Sequence, residues 1–118
     1  VKVLFDHNVP RQLRRSLPGH EIHTAKEMGW AELENGELLD AAQASGFDVM
    51  VTGDKRLSRE QHLEGRSLAL VVLGTTDRKL LERDTAPVVA AVERSMPGSF
   101  EALPAPEPQR RSPSPSGP

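Results

Sequence analysis

A parallel α/β sheet with helices on both faces is the fold this sequence predicts, and three observations carry the prediction. Short apolar runs of strand length recur along the chain. Segments with helix caps and apolar stripes fall between them. Three of the runs, Lys2–Asp6, Asp48–Thr52 and Leu68–Leu73, are continuously apolar inside their ends, as expected of strands buried on both faces. Strands alternating with helices imply parallel pairing through right-handed crossovers. The first strand should lie between the second and third, with the fourth outside the third. The 118 residues suffice for one domain and not two.

The elements follow in order. After Lys2–Asp6, a helical segment runs from Pro10 to Leu17, with Arg11, Arg14 and Arg15 on one face and Leu13 and Leu17 on another. Glu21–Thr24 is the second strand. Thr24 and Glu27 match a capping box, opening a short helix that Gly29 closes. Asn35 caps a third helix, whose Leu38, Leu39, Ala41 and Ala42 form an apolar stripe and whose stop is Gly46. After Asp48–Thr52, Ser58 and Gln61 match another capping box, with Gly65 as the end. Leu68–Leu73 is the fourth strand. The residues from Asp84 to Pro87 start the last helix, with Val88, Val89, Val92 and Met96 facing inward. Ser99–Leu103 is a fifth, weaker strand. Met28 and Trp30 are assigned to the core. Residues 1–103 form the domain, and 104–118, holding six of the ten prolines, form a disordered Pro-rich tail. The tail is read as a dispensable extension before a docking peptide.

Composition narrows the function. The net charge of −2 does not advertise nucleic-acid binding by the whole-protein field, so any such activity needs a local patch. Phe5, Phe47, Phe100 and Trp30 are the aromatic residues, too few for a base-stacking platform. There is no cysteine for a disulfide or a thiolate metal site. The longest apolar run cannot span a bilayer, and Val1–Phe5 reads as a strand and not as a signal peptide. The expectation is a cytoplasmic protein.

In open α/β sheets the functional cleft lies outside the C-terminal strand ends, at the topological switch point. Strand one ends in Asp6, His7 and Asn8, and strand three in Thr52, Gly53 and Asp54. Neighbouring strands bring Asp6 and Asp54 face to face. Two carboxylates about 4 Å apart repel by roughly 4 kcal/mol at an effective dielectric of about 20. Such a pair needs a cation, a shared proton or a flanking base. Mg²⁺ or Mn²⁺ suits carboxylate and water ligands. Either aspartate alone reads equally well as a loop or helix cap; together they favour a site. Glu37, in the first turn of the third helix, either complements the helix dipole or leans in as a third acid. Asn8 either orients Asp6 or a metal-bound water, or caps the helix at Pro10. His7 reads as a solvent-facing loop residue, and His20, His23 and His62 lack shared zinc-ligand spacing. Arg11, Arg14 and Arg15 follow strand one, and Lys55, Arg56 and Arg59 follow strand three. A negative centre with a positive rim suits a phosphodiester; a solvated helix face is the simpler reading of either cluster.

The stretch from Leu4 to Pro10, the stretch from Trp30 to Leu39 and the stretch from Val51 to Leu57 together resemble a bacterial PIN-like family. The resemblance covers Val1 to about Met96. It implies a three-layer α/β/α fold with a central, mostly parallel sheet of four to five strands. It also implies a metal-dependent endoribonuclease, the toxin component of a toxin–antitoxin pair. Asp6 and Asp54 would be catalytic metal ligands for Mg²⁺ or Mn²⁺, with Glu37 as the third acid and Asn8 and Thr52 in support. Arg11, Arg14, Lys55 and Arg56 would hold RNA phosphates. A small antitoxin and a homodimer are the implied partners, with no membrane. The chain departs from the family pattern at His7, Asn35 and Arg56, where acids are common. The alternative is therefore a catalytically inactive module of the same fold that binds protein or RNA. Asp6, Asp54 and Thr75 at three strand ends also suggest a receiver-like phosphoacceptor, but no second acid stands beside Asp6. No Gly-rich phosphate loop follows strand one, which disfavours a Rossmann nucleotide binder. Asp77 is read as a helix cap before a further ligand.

Overall fold

The computed structural model of the chain describes residues 1–33, 35–57, 63 and 65–105, with Asn35 described by its backbone. Five parallel strands form one sheet: β1 (Lys2–Phe5), β2 (Glu21–Thr24), β3 (Val49–Thr52), β4 (Ala69–Val72) and β5 (Phe100–Ala102), in the order β2-β1-β3-β4-β5. Each expected strand is present, and β1 lies between β2 and β3 as the alternation required. The sheet is wholly parallel. Every residue of β3 and β4 is buried, because both faces are covered.

Side-chain alternation splits the core in two. Val3, Phe5, Val49, Val51, Ala69 and Val71 pack under a 3₁₀ helix (Arg11–Ser16) and two helices, α2 (Arg78–Arg83) and α3 (Ala86–Glu93). Leu4, Met50, Leu70 and Val72 pack under α1 (Asn35–Ala44), with Leu57 and Leu63. The connections β1→β2 and β2→β3 step in opposite directions over opposite faces, so they share one hand. The β3→β4 connection, marked by Leu57 and Leu63, shares it too. The β4→β5 connection steps the same way as β3→β4 but crosses the other face through α2 and α3. Its hand is therefore opposite, which departs from the uniform handedness expected. The reason is coverage: the six-residue 3₁₀ helix cannot shield that face from β1 to β4, and Leu81, Val88, Ala91 and Val92 do.

Local signals explain the helix ends. At the end of α1, Gly46 adopts φ +83°, its N–H donates to the Gln43 carbonyl, and Phe47 N–H donates to the Ala42 carbonyl. That pair of bonds is a Schellman stop. Asp77 caps α2 by accepting from the Lys79 and Leu80 N–H groups, so the cap reading of Asp77 holds. Asp84 accepts from Ala86 N–H where α3 begins.

Several expectations change. The segment from Pro10 to Leu17 winds as 3₁₀, with i→i+3 bonds from Leu13 to Pro10 and from Leu17 to Arg14. The Thr24–Glu27 box forms reciprocally, at 3.0 Å each way, but supports a single turn before Gly29 at φ +79°. Helix α2 is signalled in the sequence only by the Asp77 cap, which gives it no span. Met96 is exposed, because α3 ends at Glu93 and the chain turns toward β5. Met28 and Trp30 are half-buried against the α1 core. The capping box of Ser58 and Gln61, the residues Arg59 and His62, the Asn35 side chain and the tail from residue 106 onward lie outside the described residues.

Gly74 ties β4 to the segment after β5. A Cβ there would overlap the Pro104 carbonyl group, which is backbone and cannot rotate away. Gly74→Ala is expected to cost about 2 kcal/mol by overpacking. The change would appear as a lower urea midpoint at unchanged m-value. An unchanged midpoint would mean that Pro104 does not lie against the end of β4.

Candidate functional site

The register of β1 on β3 sets the site. Val3, Leu4 and Phe5 pair with Val49, Met50 and Val51. Asp6 N–H donates to the Val51 carbonyl at 2.9 Å, which places Asp6 level with Thr52. Alternation turns Asp6 to the Leu4 face and Thr52 to the Met50 face, and these are the same side of the sheet. The Thr52 hydroxyl is fully buried. It donates to Asp6 Oδ2 at 2.7 Å and accepts from the Asp54 N–H at 3.0 Å. One hydroxyl thus links the two aspartates at the switch point between β1 and β3.

The remaining bonds hold this arrangement in place. Asp6 Oδ1 accepts from the His7 N–H at 2.6 Å. His7 is exposed in the loop, as expected, and its Nε2 lies 2.8 Å from the Leu33 carbonyl, tying the end of β1 to the approach to α1. Asn8 Oδ1 accepts from the Gly53 N–H at 3.0 Å. Asn8 therefore braces the β3 loop and does not cap the 3₁₀ helix, whose N-cap is Pro10 with no side-chain bond. A Cβ on Gly53 would overlap the Thr76 methyl group, so the loop after β4 closes directly on it. Chain direction puts the start of α1 at this same end of the sheet.

Asp54 is engaged by a base. Its Oδ1 accepts from the Arg56 N–H and Nε–H, both at 3.0 Å, and its Oδ2 accepts from the Arg56 terminal nitrogen at 2.9 Å. The backbone bond is an Asx turn, and the guanidinium grips both carboxylate oxygens. Of the three devices that could keep two aspartates together, the structure supplies the flanking base. The Asp54 side chain is 15% exposed and Arg56 81% exposed.

The other expected residues divide. Glu37 is exposed in the first turn of α1. No group of three or more His, Asp or Glu side chains placed to hold a metal ion occurs among the described residues, so Glu37 does not join Asp6 and Asp54 in such a group. Arg14 pairs with Glu27 at 2.8 Å. The Thr24 backbone N–H and then the Arg14 guanidinium hold the Glu27 carboxyl below its ordinary value. Arg11, Lys55 and Arg15 are exposed. Sequence reasoning missed the Asp54–Arg56 grip, although an Asp-x-Arg step after a strand is an available signal. It also missed Lys26, which lines the same cavity as Asp6 and Arg11.

Compared with protein-family models, curated proteins and solved structures, the chain matches none. No helix among the described residues is long and apolar enough to cross a membrane.

Removing the Thr52 hydroxyl leaves Asp6 Oδ2 and the Asp54 N–H without their shared partner. Thr52→Val is expected to lose about 2 kcal/mol in urea unfolding, the range for a hydrogen bond to a charged group. Thr52→Ser, which keeps the hydroxyl, should lose less. Equal losses in the two variants would assign the effect to packing.

Proposed function

We propose that the chain is a metal-dependent endoribonuclease of the PIN-like type, acting as the toxin of a bacterial toxin–antitoxin pair. The observation that carries the reading is the pair Asp6 and Asp54 at the ends of adjacent strands, linked through Thr52. The sequence resemblance supplies the family and the antitoxin partner. Two carboxylates are hard oxygen donors, suited to Mg²⁺ or Mn²⁺ with water completing the shell. Each Asp6 oxygen keeps a second lone pair beyond the bond it already accepts, whereas Asp54 Oδ1 already accepts two bonds from Arg56. Asp6 can therefore bind without losing Thr52, whereas Asp54 must release part of the Arg56 grip.

When bound, the ion would supply charge stabilisation at the phosphodiester and lower the pKa of a coordinated water. The chain does the positioning. Thr52 orients Asp6 and the Asp54 backbone together, Asn8 and Gly53 fix the loop between them, and exposed basic residues meet the phosphates. Arg56, once released, becomes a further phosphate contact beside Lys55.

The experiment is Mn²⁺ titration by calorimetry with an RNA-cleavage assay beside it. Wild-type binding should vanish in Asp54→Asn, and cleavage should vanish in the Asp6→Asn, Asp54→Asn double variant. Arg56→Gln should bind Mn²⁺ about fivefold more tightly, because a largely exposed ion pair is worth at most about 1 kcal/mol. Full cleavage by the double variant would sink the nuclease reading. Metal-free RNA or protein binding with no Mn²⁺ bound would favour the inactive module of the same fold.

A further inference from the structure

We propose that Arg11 and Lys26 form a phosphate subsite beside Asp6, which carries an RNA backbone over the β2 side of the sheet. The inference rests on the RNA reading of the same site and gives it a direction. A cavity of about 210 Å³ opens between the ends of β1 and β2, walled by Asp6, His7, Arg11, Thr24 and Lys26. A second, of about 320 Å³, shares the Arg11 wall and continues along Arg14, Arg15 and Glu27.

Charge accounting sets the path. Among the basic residues of the site, Arg56 is held by Asp54 and Arg14 by Glu27. Arg11, Arg15 and Lys26 are exposed, and none has an acidic partner within salt-bridge distance among the described residues. The one carboxylate in the first cavity, Asp6, already accepts from Thr52 and from the His7 N–H. Two unpartnered cations against one satisfied acid leave the cavity with net positive charge. In the second cavity Glu27 is spent on Arg14, and the charges of Arg11 and Arg15 remain. The result is a positive strip leading away from Asp6, with Arg11 common to both cavities.

The strip suits a phosphodiester chain better than a protein. Val9 and Ala25, the apolar residues in the first wall, are buried, so no apolar anchor of the kind that dominates protein interfaces is offered. No Phe, Tyr or Trp lines either cavity, so the one ring offered to a base is the His7 imidazole. What remains is a backbone grip, with guanidinium and ammonium groups on successive phosphates. Of the basic residues named from the sequence, Arg11 stays in this grip; Arg14 leaves it, and Lys26 and Arg15 enter.

The test is fluorescence anisotropy of a short labelled single-stranded oligouridylate, in chelator to prevent cleavage, across a salt series from about 50 to 200 mM. Wild type should bind with a salt-dependent affinity. The Arg11→Gln, Lys26→Gln double variant should lose about 1.4 from the slope of log K on log salt, at roughly 0.7 per phosphate contact. Arg94→Gln removes a charge at the opposite end of the sheet and should leave the slope unchanged. A double-variant slope equal to wild type, or no RNA bound by wild type, overturns the subsite. So does tighter binding of polyglutamate than of RNA at equal charge, which would assign the strip to an acidic protein segment. The two readings fail separately: a wild type that cleaves RNA with an unchanged double-variant slope rejects only the subsite. Slope loss in a protein that never cleaves supports the subsite and rejects the nuclease.

Discussion

The structure around the site depends on one buried hydroxyl. Thr52 ends a strand whose residues are all inaccessible, so its polar group must find partners inside the protein. The parallel register of β1 on β3 supplies them: Asp6 lies level with Thr52 and accepts its proton, and the chain turns so that the Asp54 N–H donates to the same oxygen. Everything nearby follows from that geometry. The Thr76 methyl lies over Gly53, and Asn8 accepts from the Gly53 N–H to lock the two loops together. The His7 ring then ties this end of β1 to the carbonyl of Leu33.

Electrostatics add a second layer. Two aspartates at adjacent strand ends would repel, and the chain answers with Arg56 two residues beyond Asp54. That guanidinium grips both oxygens of the Asp54 carboxylate. The Arg14–Glu27 pair works differently. Glu27 also completes the capping box with Thr24, so the pair braces the turn after β2 and leaves Arg11, Arg15 and Lys26 to set the local charge.

The opposite-handed β4→β5 connection belongs to the same economy of covering surfaces. α1, Leu57 and Leu63 cover one face, and a short 3₁₀ helix leaves most of the other bare. Sending α2 and α3 across that face buries Val49, Val51, Ala69 and Val71, and burial of apolar area outweighs the usual preference of hand. The route also brings β5 alongside β4 and sets Pro104 against Gly74.

The sequence by itself determined the five strands, the order of the first four, the stop of α1 at Gly46, the capping box of Thr24 and Glu27, and the meeting of Asp6 with the Thr52–Asp54 loop. Those features follow from local rules: apolar runs must be buried, caps satisfy exposed helix ends, and strand ends converge at a switch point. Only the tertiary structure decided that the segment after Pro10 winds as 3₁₀ and that Met96 faces outward. It alone placed Glu37 outside any metal-holding group among the described residues, turned Asn8 to Gly53, and separated the partnered Arg14 and Arg56 from Arg11, Arg15 and Lys26. These outcomes depend on which side chain reaches which charge across elements distant in sequence. Residue type and spacing put a charge on a surface, but the packing of the two faces decides what that charge meets.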